Sequence, residues 1–290
     1  MKVALQVNMT RENAYNVASE VCNQLVRLGI LVLMDKKYLN IFKEQSIEFL
    51  DADKCITECD IVISIGGDGT IIHSAHDAAE YDKPVLGINA GRLGFLAGLE
   101  KGELDRLSCL KDGNYTVDNR MMLEVRHYEG NEFVNDYTCL NDVIIGRGAT
   151  LRLCEIDVSS NGKLLYNYLA DGLIVATPTG STAYSLSSGG PVVDTSIESL
   201  ILTPVCSHSL FSRSIIFKPD TEIEFSVKNC DNCSPVFSCD GEIGIPVTSR
   251  TRILVTRSKK YSKIIRIKSD SFSDVLNSKL INRYKHQQGE

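Results

Sequence analysis

Residues 61–72 read IVISIGGDGTII. Ile61, Val62, Ile63 and Ile65 form an apolar run of strand length. Gly66, Gly67 and Gly69 then supply a turn, and from Thr70 to about residue 81 the pattern is helical. Residues 84–88, PVLGI, are apolar again. Buried strand, glycine turn, helix and buried strand are the units of a parallel sheet covered on both faces. The stretch before it agrees. Val3, Leu5 and Val7 alternate as a strand does. Ala14, Val17, Ala18, Val21, Cys22 and Leu25 recur at three and four residues, a helical face that Gly29 is placed to end. Residues 30–34, ILVLM, read as another buried strand. The expectation for residues 1–115 is an α/β domain with a Rossmann-like parallel sheet.

Beyond it the pattern changes. Residues 123–128, 155–159, 163–168, 172–176, 214–217, 222–227, 243–247, 252–256 and 263–267 are short strand-like runs broken by Asn-Gly, Asp-Gly and Gly-Asn turn signals. Residues 116–270 are therefore expected to form a mainly antiparallel β domain. Helical spacing returns in Phe272, Val275, Leu276, Leu280 and Ile281, a closing helix within residues 271–290 directed back toward the first domain.

The whole chain sets bounds on function. It has 290 residues, 43% of them hydrophobic and 23% charged, enough for a sizeable core. The net charge of −6 argues against nucleic acid or an anionic membrane as the main partner, since both call for a basic face. Ten cysteines without a signal-peptide pattern fit reduced thiols in the cytoplasm. No apolar stretch reaches the length of a membrane span.

The glycine turn carries the chemistry. Glycines let backbone N–H groups approach a ligand, and a helix N-terminus adds free donors and partial positive charge. Phosphate suits such a place, yet Asp68 sits in its middle. A carboxylate beside phosphate can take a proton from an attacking hydroxyl or help hold a divalent cation. In the plainer alternative, Asp68 is a helix cap and the glycines are only a turn. The chain has neither G-x-x-x-x-G-K-[ST] nor G-x-G-x-x-G after its first strand, so it carries no P-loop and no standard dinucleotide fingerprint. Phosphoryl transfer to an alcohol is the reading that uses both the glycines and the carboxylate.

The GGDGT loop resembles that of a kinase superfamily holding NAD kinases, diacylglycerol and sphingosine kinases and, more distantly, phosphofructokinases. Residues 171–191, DGLIVATPTGSTAYSLSSGGP, resemble the long signature of the NAD kinases, which the lipid kinases lack. Residues 89–97 (NAGRLGFLA), 140–144 (LNDVI) and 238–242 (SCDGE) are similar to further blocks of that family, in family order. The resemblance implies transfer of the ATP γ-phosphoryl group to the 2′-hydroxyl of the adenosine ribose of NAD⁺. Asp68 would be the catalytic base, and Gly66, Gly67, Gly69 and Thr70 would bind the phosphates of ATP. Mg²⁺ or another divalent cation would be held mainly by phosphates, with no firm protein ligand.

For NAD, the implied set is Asp68, Gly69, His73, Asn141, Asp142, Arg152, Asp171, Thr179, Thr182, Ala183, Tyr184, Ser185, Leu186, Ser187 and Glu242. Carboxylates and an Asn can pair with the amine, amide and hydroxyl groups of NAD. The resemblance also implies a homodimer or homotetramer. A lipid kinase, or a dinucleotide sensor without chemistry, are the alternatives. The first leaves residues 177–191 unexplained, and the second leaves Asp68 without a purpose.

Several features have competing readings. His73, His76 and Asp77 have the spacing of a metal pair on one helix, against a place near nucleotide for His73. Arg152 is a basic residue near the ligand or an exposed strand charge. Cys230-Asp-Asn-Cys233 with Cys239 is a single C-x-x-C, either a metal site or a hairpin loop. Glu242 stands where the family has Gln, and a carboxylate at neutral pH accepts hydrogen bonds but does not donate them. Residues 204–213, PVCSHSLFSR, keep His208 and Arg213 in family register, but carry Ser207 for Pro and reverse the order at Phe211-Ser212.

Overall fold

The structure, a computed structural model, describes residues 1–11, 13–42, 46–91, 94–208, 212–228 and 234–278. The chain divides into two units. The first comprises Met1–Asn119 and the chain from Tyr261 on, and the second Arg120–Lys260.

The first unit is the α/β part. Its elements are β1 (Lys2–Val7), α1 (Ala14–Arg27), β2 (Leu31–Asp35), β3 (Ile47–Leu50), α2 (Ala52–Glu58), β4 (Ile61–Gly66), α3 (Asp68–Glu80), β5 (Pro84–Asn89), the two-residue β6 (Leu99–Glu100) and α4 (Ser108–Asp112). The strands lie in the order β5-β4-β1-β2-β3, all parallel. Alternation sorts the side chains of β1. Val3, Leu5 and Val7 join Val17, Val21 and Leu25 of α1 in the largest core cluster. Ala4 and Gln6 face the other side of the sheet. The chain lays down β1, β2 and β3 in one direction and then returns to place β4 and β5 on the far side of β1. Strand order thus reverses between β1 and β4, and in open parallel sheets ligands bind at the carboxyl edge of such a point.

The second unit is antiparallel. It contains β7 (Thr116–Glu129, from Arg120 on), β8 (Glu132–Cys139), β9 (Asp142–Gly146), β10 (Cys154–Ser160), β11 (Lys163–Ala170), β12 (Gly172–Ala176), the single turn α5 (Tyr184–Ser187), β13 (Leu200–Val205), β14 (Ile215–Phe217), β15 (Ile223–Val227), β16 (Val236–Cys239), β17 (Ile245–Pro246) and the start of β18 (Thr251–Arg266). One sheet runs β14-β13-β12-β9-β16-β17. Its central strands β9, β12 and β13 are nearly all buried, and Ile174, Ala176 and Ile201 cluster with Val193 on one face. β11, β10, β15 and β18 pair in sequence, and β7 with β8 forms a hairpin. The last residues of β18, Lys263 and Ile264, pair in parallel with Pro84 and Val85 of β5 in the first unit's own sheet.

Some elements differ from the sequence expectation, each for a physical reason. The runs at 252–256 and 263–267 are one strand, because the intervening residues RSKKYS are polar without being turn formers, and Ser258 and Ser262 are buried within it. β8, EFVNDYTC, sets Phe133 beside Val134 and Asn135 beside Asp136, so it lacks the alternation of a strand and is held by its hairpin partner. Of residues 243–247 only Ile245–Pro246 pairs, while Ile243 lies 93% exposed. Residues 272–278 are helical. Leu280 and Ile281, expected on the same helix, lie outside the described residues. Among the described residues no helix is long and apolar enough to cross a membrane.

Candidate active site

In the first unit the glycine turn leads straight from β4 into α3. Gly67 precedes the helix, and its carbonyl accepts the N–H groups of Thr70 (3.0 Å) and Ile71 (3.1 Å). Asn8, just past β1, donates through Nδ2 to Thr70 Oγ1 at 3.0 Å, tying the end of β1 to the start of α3. Asp68 begins the helix. Its Oδ2 accepts the N–H of Phe95 at 2.9 Å, and its Oδ1 that of Leu96 at 3.1 Å. A Cβ on Gly94 would overlap Oδ1 and the carboxyl carbon, so this turn can close on Asp68 only with glycine there. The carboxylate is thereby fixed in orientation. Each oxygen, having accepted one backbone N–H, still has a second lone pair.

His73, one turn into α3, has a side chain 75% exposed, with Nδ1 4.0 Å from Asp77 Oδ1. Together with Gly69 and Thr70 it lines a groove of about 530 Å³ that also takes in Asn8, Asp35 and Lys37. Among the described residues no group of three or more His, Cys, Asp or Glu side chains could hold a metal ion. That removes His73, His76 and Asp77 as a described metal centre. Cys230 and Cys233 lie outside the described residues. Cys239 is buried beside Cys139, whose thiol burial pushes well above the usual value.

In the second unit three of the recognised blocks meet. The Cys239–Glu242 turn places Asp240 and Gly241 at φ +48° and +77°. Asp240 Oδ2 accepts Leu140 N at 2.6 Å, and its Oδ1 accepts Asn141 N and Asp142 N at 2.8 and 2.9 Å. Leu140 and Asn141 are also held from the other side. Thr177 donates its hydroxyl to Leu140 O (2.6 Å) and its N–H to Asn141 O (2.8 Å), while Gly180 N donates to Thr177 Oγ1 (3.1 Å). A Cβ on Gly180 would overlap the Asn141 carbonyl, so the turn needs glycine for this approach. Asp142 is 6% exposed. Burial first, and the charge of Asp240 second, push its carboxyl up to about 7.

The remaining candidates divide between lining and scaffold. Thr179 is buried and accepts from Arg120 Nη1 at 3.3 Å. Thr182 donates to Thr179 O at 3.2 Å. Ser185 is buried against Thr203 Oγ1 at 3.0 Å, a packing contact within the unit. Ala183 and Leu186 are half-buried, and Tyr184 and Ser187 are exposed. Asp171 Oδ1 lies 3.2 Å from Arg147 Nε, and the Arg147 N–H donates to the Asp171 carbonyl at 3.0 Å. The sequence reading picked Arg152, which is exposed on the loop after β9, and passed over Arg147. The signal for Arg147 was its place directly after a buried strand beside Gly146. Glu242 is exposed. Its N–H and carbonyl close the turn onto Cys239 O and Ser238 Oγ.

Comparison with known proteins agrees with these arrangements. Residues 3–108 match the model of the ATP-NAD kinase N-terminal domain, and residues 140–267 that of the ATP-NAD kinase C-terminal domain. The chain belongs to the ATP-NAD kinase family. It is 37% identical over 287 residues to the NAD kinase of Caldanaerobacter subterraneus subsp. tengcongensis, covering 97% of this chain and 99% of that protein. It is 35% identical to the NAD kinase of Prosthecochloris aestuarii over the full length of both. Two solved structures share the fold. Yeast NADH kinase in complex with NADH has a TM-score of 0.84 at 23% identity, covering 97% of this chain and 87% of that one. An NAD kinase from Archaeoglobus fulgidus in complex with ATP has a TM-score of 0.71 at 20% identity, covering 95% and 99%. In this family member the GGDGT turn lies in the N-terminal match. The Asn141-Asp142, Thr177–Ser187 and Asp240 blocks lie in the C-terminal one.

Proposed function

We propose that the protein transfers the γ-phosphoryl group of ATP to the 2′-hydroxyl of the adenosine ribose of NAD⁺, giving NADP⁺ and ADP. The observation that carries this reading is Asp68, a carboxylate at the N-terminus of a 13-residue helix, oriented by the Phe95 and Leu96 N–H groups. Its second lone pairs suit the proton of an incoming hydroxyl. The hydroxyl oxygen forms its bond to phosphorus as the bond to the ADP oxygen breaks, and the proton passes to Asp68. The backbone of Gly66, Gly67, Gly69 and Thr70 cradles the phosphates at the start of α3, where the helix dipole favours their charge.

Those same lone pairs on Asp68 suit a divalent cation, Mg²⁺ or another, held chiefly by the phosphates. Such a cation neutralises phosphate charge when bound. Asn141, Asp142 and Asp171 recognise the amine, amide and hydroxyl groups of NAD, with Thr179, Thr182, Ala183, Tyr184 and Ser187 lining the same ligand. His73, Arg152 and Glu242 are assigned to the rim. The working form is a cytoplasmic homodimer or homotetramer. The test is a coupled assay with ATP, Mg²⁺ and NAD⁺, in which an NADP-specific dehydrogenase reads the product. NADP⁺ is expected, and a folded protein forming none refutes the assignment.

A further inference from the structure

The residues assigned to NAD in the second unit sit at both ends of the paired strands β9 and β12. Asp142 faces Ala176 at one end, with Asn141 and Thr177 just beyond. Gly146 faces Gly172 at the other end, with Arg147 and Asp171 just beyond. The two ends are about 14 Å apart along the strands. Asp171 therefore meets a different part of a bound dinucleotide from Asn141 and Asp142. Arg147 shares that end with it and has no part in the reaction as read so far. Its backbone is fixed on both sides. The Arg147 N–H donates to Asp171 O at 3.0 Å, and its carbonyl accepts Thr150 Oγ1 at 3.1 Å. Asp171 is fixed as well, its N–H donating to Val205 O on β13 at 3.0 Å. The two side chains, both half-buried, then meet through Arg147 Nε and Asp171 Oδ1 at 3.2 Å. Among the described residues neither side chain has another ion pair, and Asp171 Oδ2 keeps its acceptor capacity.

We propose that Arg147 is a positioning residue of the NAD site, holding Asp171 by one carboxylate oxygen and leaving the other for a hydrogen-bond donor of the dinucleotide. The proposal rests on the reading that Asp171 contacts NAD⁺. A carboxylate alone at a strand end turns freely about its side-chain bonds and must be ordered when ligand binds. A guanidinium whose own backbone is pinned removes that cost beforehand. The pair is also neutral as a whole, so Asp171 serves the ligand as a directed acceptor rather than as a bare charge. Stability is a poor alternative purpose for the pair, because half-exposed ion pairs add little to it.

The test measures KM for NAD⁺ and for ATP, with calorimetry of NAD⁺ binding, in the full chain carrying Arg147→Ala, Asp171→Ala, both together, or Arg147→Lys. Arg147→Ala is expected to raise the NAD⁺ KM at least tenfold and leave the ATP KM within twofold. Arg147→Lys is expected to stay within threefold of wild type, since one charge-assisted N–H contact is all that Nε supplies. The double variant is expected to match Asp171→Ala within twofold, because a residue that acts through Asp171 has nothing left to position once Asp171 is gone. An NAD⁺ KM within twofold of wild type in folded Arg147→Ala overturns the proposal. So does a double variant in which the two effects multiply, which would make Arg147 independent of Asp171, or an equal rise in both KM values, which would make it merely structural. Asp171→Ala binding NAD⁺ as wild type does removes Asp171 from the site and overturns the proposal with it, while NADP⁺ formation keeps the kinase reading. A wild type that forms no NADP⁺ refutes that reading, and the same cycle on NAD⁺ binding by calorimetry still decides Arg147.

Discussion

Asp142 carries an ionisation that the fold opposes. Its ordinary value of 3.8 is raised to about 7 by burial and by the neighbouring Asp240. The sign follows from linkage. Between pH 4 and pH 7 the unfolded chain ionises this group and the folded chain does not, so stability falls as pH rises and levels off above about 7. A shift of about three units amounts to roughly 4 kcal/mol at most. Asp142→Asn removes the effect. Thermal melts from pH 4 to pH 8 are expected to show wild type losing stability relative to the variant over that interval. Parallel curves would mean Asp142 is ionised throughout. Sequence alone named Asp142 and Asn141 but not the reason they hold still. Their backbone N–H groups, with that of Leu140, end on Asp240, about 100 residues away, and no local pattern reports such a pairing.

At the level of elements, the start of α3 and the 94–96 turn act as one piece. The helix offers Asp68, and the turn offers two N–H groups with no side chain at Gly94 to block the approach. Gly94→Ala therefore pushes directly on the carboxylate of Asp68 while leaving the groups of the second unit assigned to NAD untouched. Its kcat is expected to fall about 100-fold or more, with the NAD⁺ KM within threefold, in steady-state assays on protein whose melting temperature stays within a few degrees of wild type. A kcat within twofold would show that the turn does not position Asp68. The parallel strands and α1 were legible because continuous apolar runs and a clear helical face leave little choice. The long β18 and the polar β8 were not, since their strand character comes from pairing with neighbours rather than from their own residues.

Across the whole molecule, two compact units divide the labour that the kinase reading requires. One presents the start of α3 with an oriented carboxylate and a groove at the switch in strand order. The other presents a hydrogen-bonded set of Asn141, Asp142 and the Thr177–Ser187 run. The hydrophobic period changes near residue 115 in the sequence, and the chain divides after Asn119; the return of the chain at Tyr261 to the first unit was written in no local signal beyond the last apolar runs.

The most direct measurement on the central claim is single-turnover NADP⁺ formation by Asp68→Asn beside wild type, with NAD⁺ binding to both measured by calorimetry. If Asp68 takes the proton of the 2′-hydroxyl, the variant binds NAD⁺ within a few-fold of wild type and its rate falls about 1,000-fold or more, within the range spanned by general-base and electrostatic contributions. A rate within tenfold of wild type in a folded, NAD⁺-binding variant would contradict that role for Asp68.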